Sequence, residues 1–198
     1  DFRVLYKNSL LGSVGLNVPG RHNAQNALAS FAVGMELGMS FEDVKEGLQE
    51  FKGIDRRIQL KGEINGVRII DDYAHHPTEI NAVYDAIREM HPGEEVVAVF
   101  QPHLFTRTQD FGDDFAKSLA KFDIIFLLEI YPAREEPIAG INSEWLLEKI
   151  QNPRKKLISK SNLIDEIKQS RTGVLVTMGA GDIGLEVPKI RKELAYAS

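Results

Sequence analysis

No cysteine occurs among the 198 residues, which excludes disulfide staples, thiolate nucleophiles and thiolate metal ligands and is compatible with a reducing compartment. Long apolar runs are missing as well. The longest, Val96 to Phe100 and Ile124 to Leu128, fall far short of the roughly 20 residues that carry a helix across a bilayer. A basic excess is also lacking: 24 Lys and Arg stand against 29 Asp and Glu, a formal charge of -5. Nucleic acid and anionic membrane surfaces are therefore not expected partners, because both call for a clustered positive face. No Gly-x-x-x-x-Gly-Lys-Ser/Thr segment is present either. The backbone amides, lysine and hydroxyl that jointly cradle a triphosphate and its magnesium are thus not expected in this chain, and no metal ligand is assigned within it.

What is present suffices for a core, with 43% hydrophobic and 27% charged residues, ordinary for a globular protein. Phe2 to Tyr6 and Ser9 to Val18 read as an edge hairpin turned at Lys7-Asn8. Pro19-Gly20 breaks it. A helix opened by Arg21-His22-Asn23 carries Ala24, Ala27, Leu28, Phe31 and Met35 on one face and stops at Gly38. Ser40 caps a second helix with Phe41, Val44, Leu48 and Phe51 inward. Two helices and a hairpin enclose little by themselves, and the chain opens at Asp1 with a strand already under way. Residues 1 to about 55 are therefore expected to be the tail of a domain from a longer protein.

After Gly53-Ile54-Asp55-Arg56-Arg57, read as a hinge, the rhythm changes. Strands Ile58 to Ile64 and Val67 to Ile70 meet at Asn65-Gly66, a preferred hairpin turn. Then come a helix from Pro77 to Met90, strand Val96 to Phe100, a helix reaching about Lys121, strand Ile124 to Leu128 and a long loop from Ile130 to Asn142. Helices near Ser143 to Ile150 and Asn162 to Gln169 flank a short strand at Lys156 to Ile158. Val174 to Met178 is the last strand, and a final helix holds Leu185, Ile190 and Leu194. Alternation of this kind predicts an α/β fold, a mainly parallel sheet with helices on both faces. Polar loops beginning at Asp71, Gln101 and Glu129 then fall at one carboxyl edge, where open α/β sheets bind ligands.

The densest chemistry lies in Asp71-Asp72-Tyr73-Ala74-His75-His76-Pro77-Thr78-Glu79. Pro77 suits a first helical position, and Glu79 can reach back to His76 in the manner of a capping box. The segment reads either as a binding or catalytic loop or as a polar strand-to-helix connection with a capping histidine. A single metal ion is disfavoured, because neighbouring strand residues point to opposite faces. Asn23 and Asn26 share a helix face where carboxamides can read a purine edge or cap the helix. Arg56 and Arg57 can grip phosphate or ribose, or form a solvated linker. Gly179-Ala180-Gly181-Asp182-Ile183-Gly184 matches the dinucleotide fingerprint literally, but too little chain follows for a βαβ unit. We read it as a tight turn at a helix start, with Asp182 set against the positive helix end.

Pro19 to Ala27, Asp55-Arg56-Arg57, Asp71 to Glu79, Gln101-Pro102-His103 with Thr106-Arg107-Thr108, Tyr131-Pro132-Ala133-Arg134-Glu135 and Gly179-Ala180-Gly181-Asp182 occur together and in order. In combination they resemble the Mur ligases, above all the alanine-adding members, over essentially the whole chain. The resemblance implies a cytoplasmic three-domain enzyme that joins L-alanine to the lactyl carboxylate of UDP-N-acetylmuramic acid with ATP and magnesium. The carboxylate becomes an acyl phosphate, which the amine attacks, and ADP and phosphate are released. Residues 1-55 would be the carboxyl-terminal end of the central ATP-binding domain, and 56-198 a Rossmann-like carboxyl-terminal domain. His22, Asn23 and Asn26 would contact adenine, and Arg56 or Arg57 with Asp72 would approach ribose or phosphates. Asp72 and His75 would serve catalysis, with Tyr73, His75 and Arg107 facing the amino acid, the arginine as partner for its carboxylate.

The pattern departs from the family at Leu104, where some relatives carry arginine, so carboxylate recognition falls to Arg107 or another group. The triphosphate loop and magnesium ligands would lie outside this chain. Two other readings fit the same residues. One is the related recycling ligase that attaches a tripeptide to the same nucleotide sugar, against which Tyr73 and Glu79 weigh. The other is a non-catalytic nucleotide-binding module, against which Asp72, His75 and Arg107 on separate loops of one edge weigh.

Overall fold

In the computed structural model, which describes residues 1–196, Lys7 and Asn8 take left-handed φ values of 47° and 65°. They close a hairpin between β1 (Phe2–Tyr6) and β2 (Ser9–Val14). β2 stops short of the expected Val18 because its partner runs out: Val14 pairs with Phe2, where β1 begins. Helix α1 (Arg21–Glu36) buries Ala27, Phe31 and Gly34, leaving Leu28 of the expected inner face exposed. Helix α2 (Phe41–Glu50) is capped as its sequence predicts. Asp43 N donates to Ser40 Oγ at 3.1 Å and Ser40 N donates to Asp43 Oδ2 at 3.1 Å, a complete capping box. Val4, Val14, Phe31 and Val44 form the small core of this unit, which ends at Ile54. Phe51, expected on the inner face of α2, follows the helix and is exposed.

A second unit begins at Asp55. Its edge hairpin, β3 (Gln59–Ile64) with β4 (Val67–Asp72), turns at Asn65 and Gly66 with φ of 51° and 80°. Both positive angles suit the right-handed twist of the flanking strands. The chain continues through α3 (Pro77–Met90), β5 (Val96–Phe100), α4 (Phe105–Asp110), α5 (Gly112–Leu119) and β6 (Ile124–Leu127). It ends with α6 (Ser143–Lys149), β7 (Lys155–Leu157), α7 (Leu163–Ser170), β8 (Val174–Met178) and α8 (Val187–Ala195). The sheet order is β3-β4-β8-β5-β6-β7, with every pairing parallel except β3 with β4.

The central strands are apolar without interruption because both faces are covered. Along β5, Val96, Ala98 and Phe100 join the layer formed with Ile80, Val83 and Ile87 of α3, Phe115 and Leu119 of α5 and Leu146 of α6. Val97 and Val99 join the opposite layer, with Leu163 and Ile167 of α7 and Ile190 and Leu194 of α8. The period of two thus sorts one hydrophobic run into two cores. Helices α3, α5 and α6 accompany the outward progression from β4 to β7. Helix α7 then returns over the other face and delivers β8 into the middle.

The single helix expected up to Lys121 is two. Phe111 leaves helical geometry at φ −114° and ψ 18°, and Gly112 follows, where a Cβ would lie 2.4 Å from the Trp145 ring. Leu185, expected in the final helix, sits instead in a 3-10 turn, Asp182–Leu185, and is 70% exposed, whereas Ile190 is fully buried. Ile190→Ala should therefore lower the free energy of unfolding by about 2–4 kcal/mol, while Leu185→Ala changes it by less than about 0.5 kcal/mol. Chemical denaturation of both variants checks this, and equal effects would contradict the assignment.

Candidate functional site

At the end of β4 the adjacent carboxylates diverge. Asp71, 1% exposed, accepts from Thr177 Oγ1 at 2.8 Å and from Arg56 Nε at 3.0 Å. Thr177 is its register partner on β8. Asp72, also buried, accepts from the backbone N–H of Ile58 and of Ala74, each at 2.7 Å. Burial pushes the Asp72 pKa above the usual aspartate value, and outweighs the two backbone donors and Arg57, which pull it down. Both carboxylates therefore shape the strand exit.

The neighbouring arginines differ in the same way. Arg56 reaches inward: its Nη2 donates to the Gly179 carbonyl at 2.6 Å, and its guanidinium lies 5.0 Å from the centre of the Tyr73 ring. Its own carbonyl accepts from Tyr73 N at 2.8 Å. Arg57 is about half exposed, with Nη1 3.9 Å from Glu79 Oε1. Gly179 is held at φ 147°, and a Cβ there would meet the Gln101 carbonyl oxygen at 2.7 Å. The loop after β8 is thus clamped between β4 and β5. Asp182 in that loop accepts from Gln101 Nε2 at 2.8 Å and pairs with Lys160. It lies in the first turn of the 3-10 helix Asp182–Leu185, as expected of an acid at a helix start, and these two side chains hold it there.

His76 caps α3, accepting from Thr78 N at 3.3 Å, with Pro77 at the first helical position. Glu79 reaches back, but one residue further than a capping box. It accepts from His75 N at 2.9 Å rather than from His76 N, and lies 3.3 Å from His75 Nδ1. His75 Nδ1 also lies 2.9 Å from the Tyr73 carbonyl, which can only accept. Nδ1 therefore carries the hydrogen in the neutral ring, and Nε2 presents a lone pair.

Two further loops meet this one. His103, after β5, forms a parallel bridge with Tyr131, after β6; Leu104 N donates to the Tyr131 carbonyl at 2.9 Å and Tyr131 N to the Pro102 carbonyl at 2.8 Å. Leu104 is consequently held at φ 74° as the residue before α4, with no capping side chain of its own. Glu135 supplies that function from a distance. Its carboxylate accepts from Thr106 N at 3.0 Å and Thr106 Oγ1 at 2.5 Å, and these bonds hold its pKa below the usual glutamate value. The rings then form a row: Tyr73 to His75 at 5.3 Å, His75 to His103 at 6.1 Å, and His103 stacked on Tyr131 at 5.7 Å. Arg107, in the first turn of α4, places Nη1 3.3 Å from His103 Nδ1. Burial, then the Arg107 and His75 charges, push the His103 pKa below the usual histidine value.

The fold thus gathers Arg56, Arg57, Asp72, Tyr73, His75 and Arg107 at one edge of the second unit. His103, Tyr131 and Glu135 belong with them and were not singled out as site residues, although each lies in a segment whose motif was noted. His22, Asn23 and Asn26 belong to the other unit, where Asn23 Nδ2 donates to the Pro19 carbonyl at 2.6 Å and Asn26 is exposed. Among the described residues no group of three or more His, Asp or Glu could hold a metal ion, and the oxygens of Asp71 and Asp72 are engaged internally.

The second unit is thus a mainly parallel α/β domain with a polar row across the carboxyl ends of β4, β5 and β6, the edge at which open α/β sheets bind ligands. The family described as "Mur ligase, glutamate ligase domain" matches residues 56–185, and the chain belongs to the Mur ligase family. It is 55% identical over 180 residues to a UDP-N-acetylmuramate--L-alanine ligase of Christiangramia forsetii, covering 91% of this chain and 40% of that protein. The corresponding ligase of Flavobacterium johnsoniae is 48% identical over 193 residues, covering 98% and 43%. A crystal structure of UDP-N-acetylmuramate-alanine ligase from Thermotoga maritima superposes with a TM-score of 0.78 at 28% identity, covering 93% of this chain and 40% of that one. The chain thus spans about two fifths of the length of these relatives. No helix among the described residues is long and apolar enough to cross a membrane.

Two outcomes follow from the engaged carboxylates. Arg56→Met leaves Asp71 buried without its cation and should cost about 3 kcal/mol of stability, partly restored by adding Asp71→Asn. A double-mutant cycle by chemical denaturation measures the coupling, and a coupling of zero would remove Arg56 from its clamping role. Asp72, with its pKa raised in the fold, binds its proton more tightly folded than unfolded, so it makes stability fall as pH rises from the ordinary aspartate pKa through the raised one. Subtracting the stability profile of Asp72→Asn from that of the wild type should isolate this decline. A difference that rises with pH across that window would contradict it.

Proposed function

We propose that this chain is the carboxyl-terminal portion of an ATP-dependent ligase that joins L-alanine to UDP-N-acetylmuramic acid. In this reading residues 1-55 are the end of a central ATP-binding domain and 56-198 the carboxyl-terminal domain that receives the amino acid. The observation that carries it is the convergence of a guanidinium, Arg107, and an imidazole with an open Nε2, His75, from separate loops through His103. A free amino acid needs such a pair, one group for its carboxylate and one for its ammonium proton.

Arg107 holds the carboxylate of alanine as a fixed cation. His75, with Nδ1–H engaged by the Tyr73 carbonyl and Glu79 beside it, takes a proton from the ammonium at Nε2. The freed amine attacks the acyl carbon of the lactyl carboxyl, activated as an acyl phosphate. The C–N bond forms, the C–O bond to phosphate breaks, and phosphate departs with the electron pair and takes up the second proton lost by the nitrogen. Tyr73 borders His75 and shapes the amino-acid site. Asp72 acts by positioning, holding the turn that presents Tyr73 and His75. Arg57 is assigned to the nucleotide, and its greater exposure supports that choice. ATP and magnesium are held by the remainder of the longer protein, with His22, Asn23 and Asn26 assigned to adenine. The identity to alanine ligases of known name supports the substrate pair.

The test uses the full-length protein, measuring phosphate release from ATP with UDP-N-acetylmuramic acid and a panel of amino acids and peptides. Alanine-dependent turnover is expected. Arg107→Ala should raise the KM for alanine about tenfold to a hundredfold, and His75→Ala should lower kcat by about two to four orders of magnitude. Turnover only with a tripeptide would move the protein to peptide recycling, and none with any acceptor would sink the ligase reading.

A further inference from the structure

His103 has no role in the chemistry described so far, yet it sits at the middle of the row. Its ring stacks on Tyr131 with planes 17° apart, meets His75 edge-on, and its Nδ1 faces the Arg107 guanidinium at 3.3 Å. A guanidinium only donates, so Nδ1 must be the acceptor and the ring hydrogen must sit on Nε2. Arg107 has one further anchor, a 3.5 Å approach of the same Nη1 to the His103 carbonyl. Among the described residues both hydrogen bonds of the guanidinium therefore come from one residue, with the Glu135 carboxylate adding an electrostatic attraction.

We propose that His103 is a positioning residue for acceptor recognition: as a neutral imidazole it aims Arg107 at the carboxylate of the incoming amino acid. The proposal rests on the reading of Arg107 as the carboxylate partner. Protonation of His103 would replace a lone pair with a second cation facing the guanidinium, and the aim would be lost. The groups that face His103 are Arg107 from α4, His75 from the loop after β4, and Tyr131 and Glu135 from the loop after β6. Arg107 is a fixed cation and His75 a second basic ring, and Glu135 opposes them with its carboxylate engaged by Thr106. Burial and the two cationic neighbours keep the ring neutral to a lower pH than an ordinary histidine. The loss is therefore confined to acidic pH, and acceptor binding is intact at neutrality.

The discriminating experiment is acceptor kinetics of the full-length protein against pH, for the wild type, His103→Phe and His103→Asn. Phenylalanine keeps the stack on Tyr131 but has no acceptor; asparagine can place a carboxamide oxygen near the position of Nδ1 and does not titrate. His103→Phe should raise the acceptor KM about tenfold at neutral pH with kcat little changed. The wild-type KM should climb as pH falls below the usual histidine range. In His103→Asn the neutral-pH KM should be largely restored and that climb absent. The base role of His75 falls on kcat, so the KM comparison isolates His103. Nitrogen-15 spectra of the wild-type imidazoles should show the His103 ring with bare Nδ1 and hydrogen on Nε2. An unchanged KM in His103→Phe, a loss falling on kcat alone, a pH climb retained in His103→Asn, or a hydrogen on Nδ1 would each overturn the proposal. An active, alanine-dependent wild type with an unaffected phenylalanine variant removes only this inference; a wild type without acceptor-dependent turnover removes the function as well.

Discussion

The placement of β8 between β4 and β5 is the constraint on which the rest of the second unit depends. A parallel strand brought in from the far side of the sheet puts its exit loop between two loops that arrived earlier in the chain. It also puts Thr177 beside Asp71 and the Gly179 carbonyl within reach of Arg56. One guanidinium then joins the start of the unit, the β4 exit and the chain over a hundred residues later. Both faces are covered in the process: α3, α5 and α6 pack on one, α7 and α8 on the other. Because β4, β8, β5 and β6 are mutually parallel, all their polar exits open at the same edge.

The edge is built by loops that cap one another. Leu104 begins α4 in a left-handed conformation with no capping side chain, and Glu135 from the neighbouring loop meets the first-turn donors instead. The His103–Tyr131 bridge carries the sheet one step beyond its strands. Each device is non-local, so the helix bearing Arg107 is oriented by contacts from the loop after β6 rather than by its own start signal. A residue held this way moves little when a ligand arrives, which favours binding through preorganisation.

Local signals made much of the fold legible. Asn65-Gly66 specified the hairpin, Ser40 specified the start of α2, Pro77 specified the start of α3, and the alternation of elements gave a mainly parallel sheet. What remained hidden were choices set by distant residues. Nothing local distinguishes Arg56 from Arg57. The inward one is selected by a φ of 58° at Arg56 and by a carbonyl contributed from β8. Glu79 pointed to a capping box, yet the β-region turn at His76 brings the amide of His75 to it instead. His103 was visible only as part of a motif, because its importance arises from a ring on another loop. Phe111 interrupts a continuous helical pattern where the Trp145 ring from α6 comes against Gly112. Leu185 kept the apolar spacing of α8, but the turn before that helix points it outward.

The acid-rich stretch that first draws attention turns out to be electrostatically quiet. Asp71 is matched by Arg56 and Thr177, Asp72 by two backbone amides, Glu79 by a backbone amide and the His75 ring, and Glu135 by Thr106. On the proposed function two groups brought to this edge, the acceptor carboxylate and the phosphorylated carboxyl, are anionic. Unmatched carboxylates there would repel them by an amount that grows as water is excluded. Engaging each acid with a donor of the fold itself leaves Arg57, Arg107 and a proton-accepting His75 to set the sign of the site. The same acids fix the backbone that carries those groups, so the residues that stabilise the edge also keep it receptive to anions.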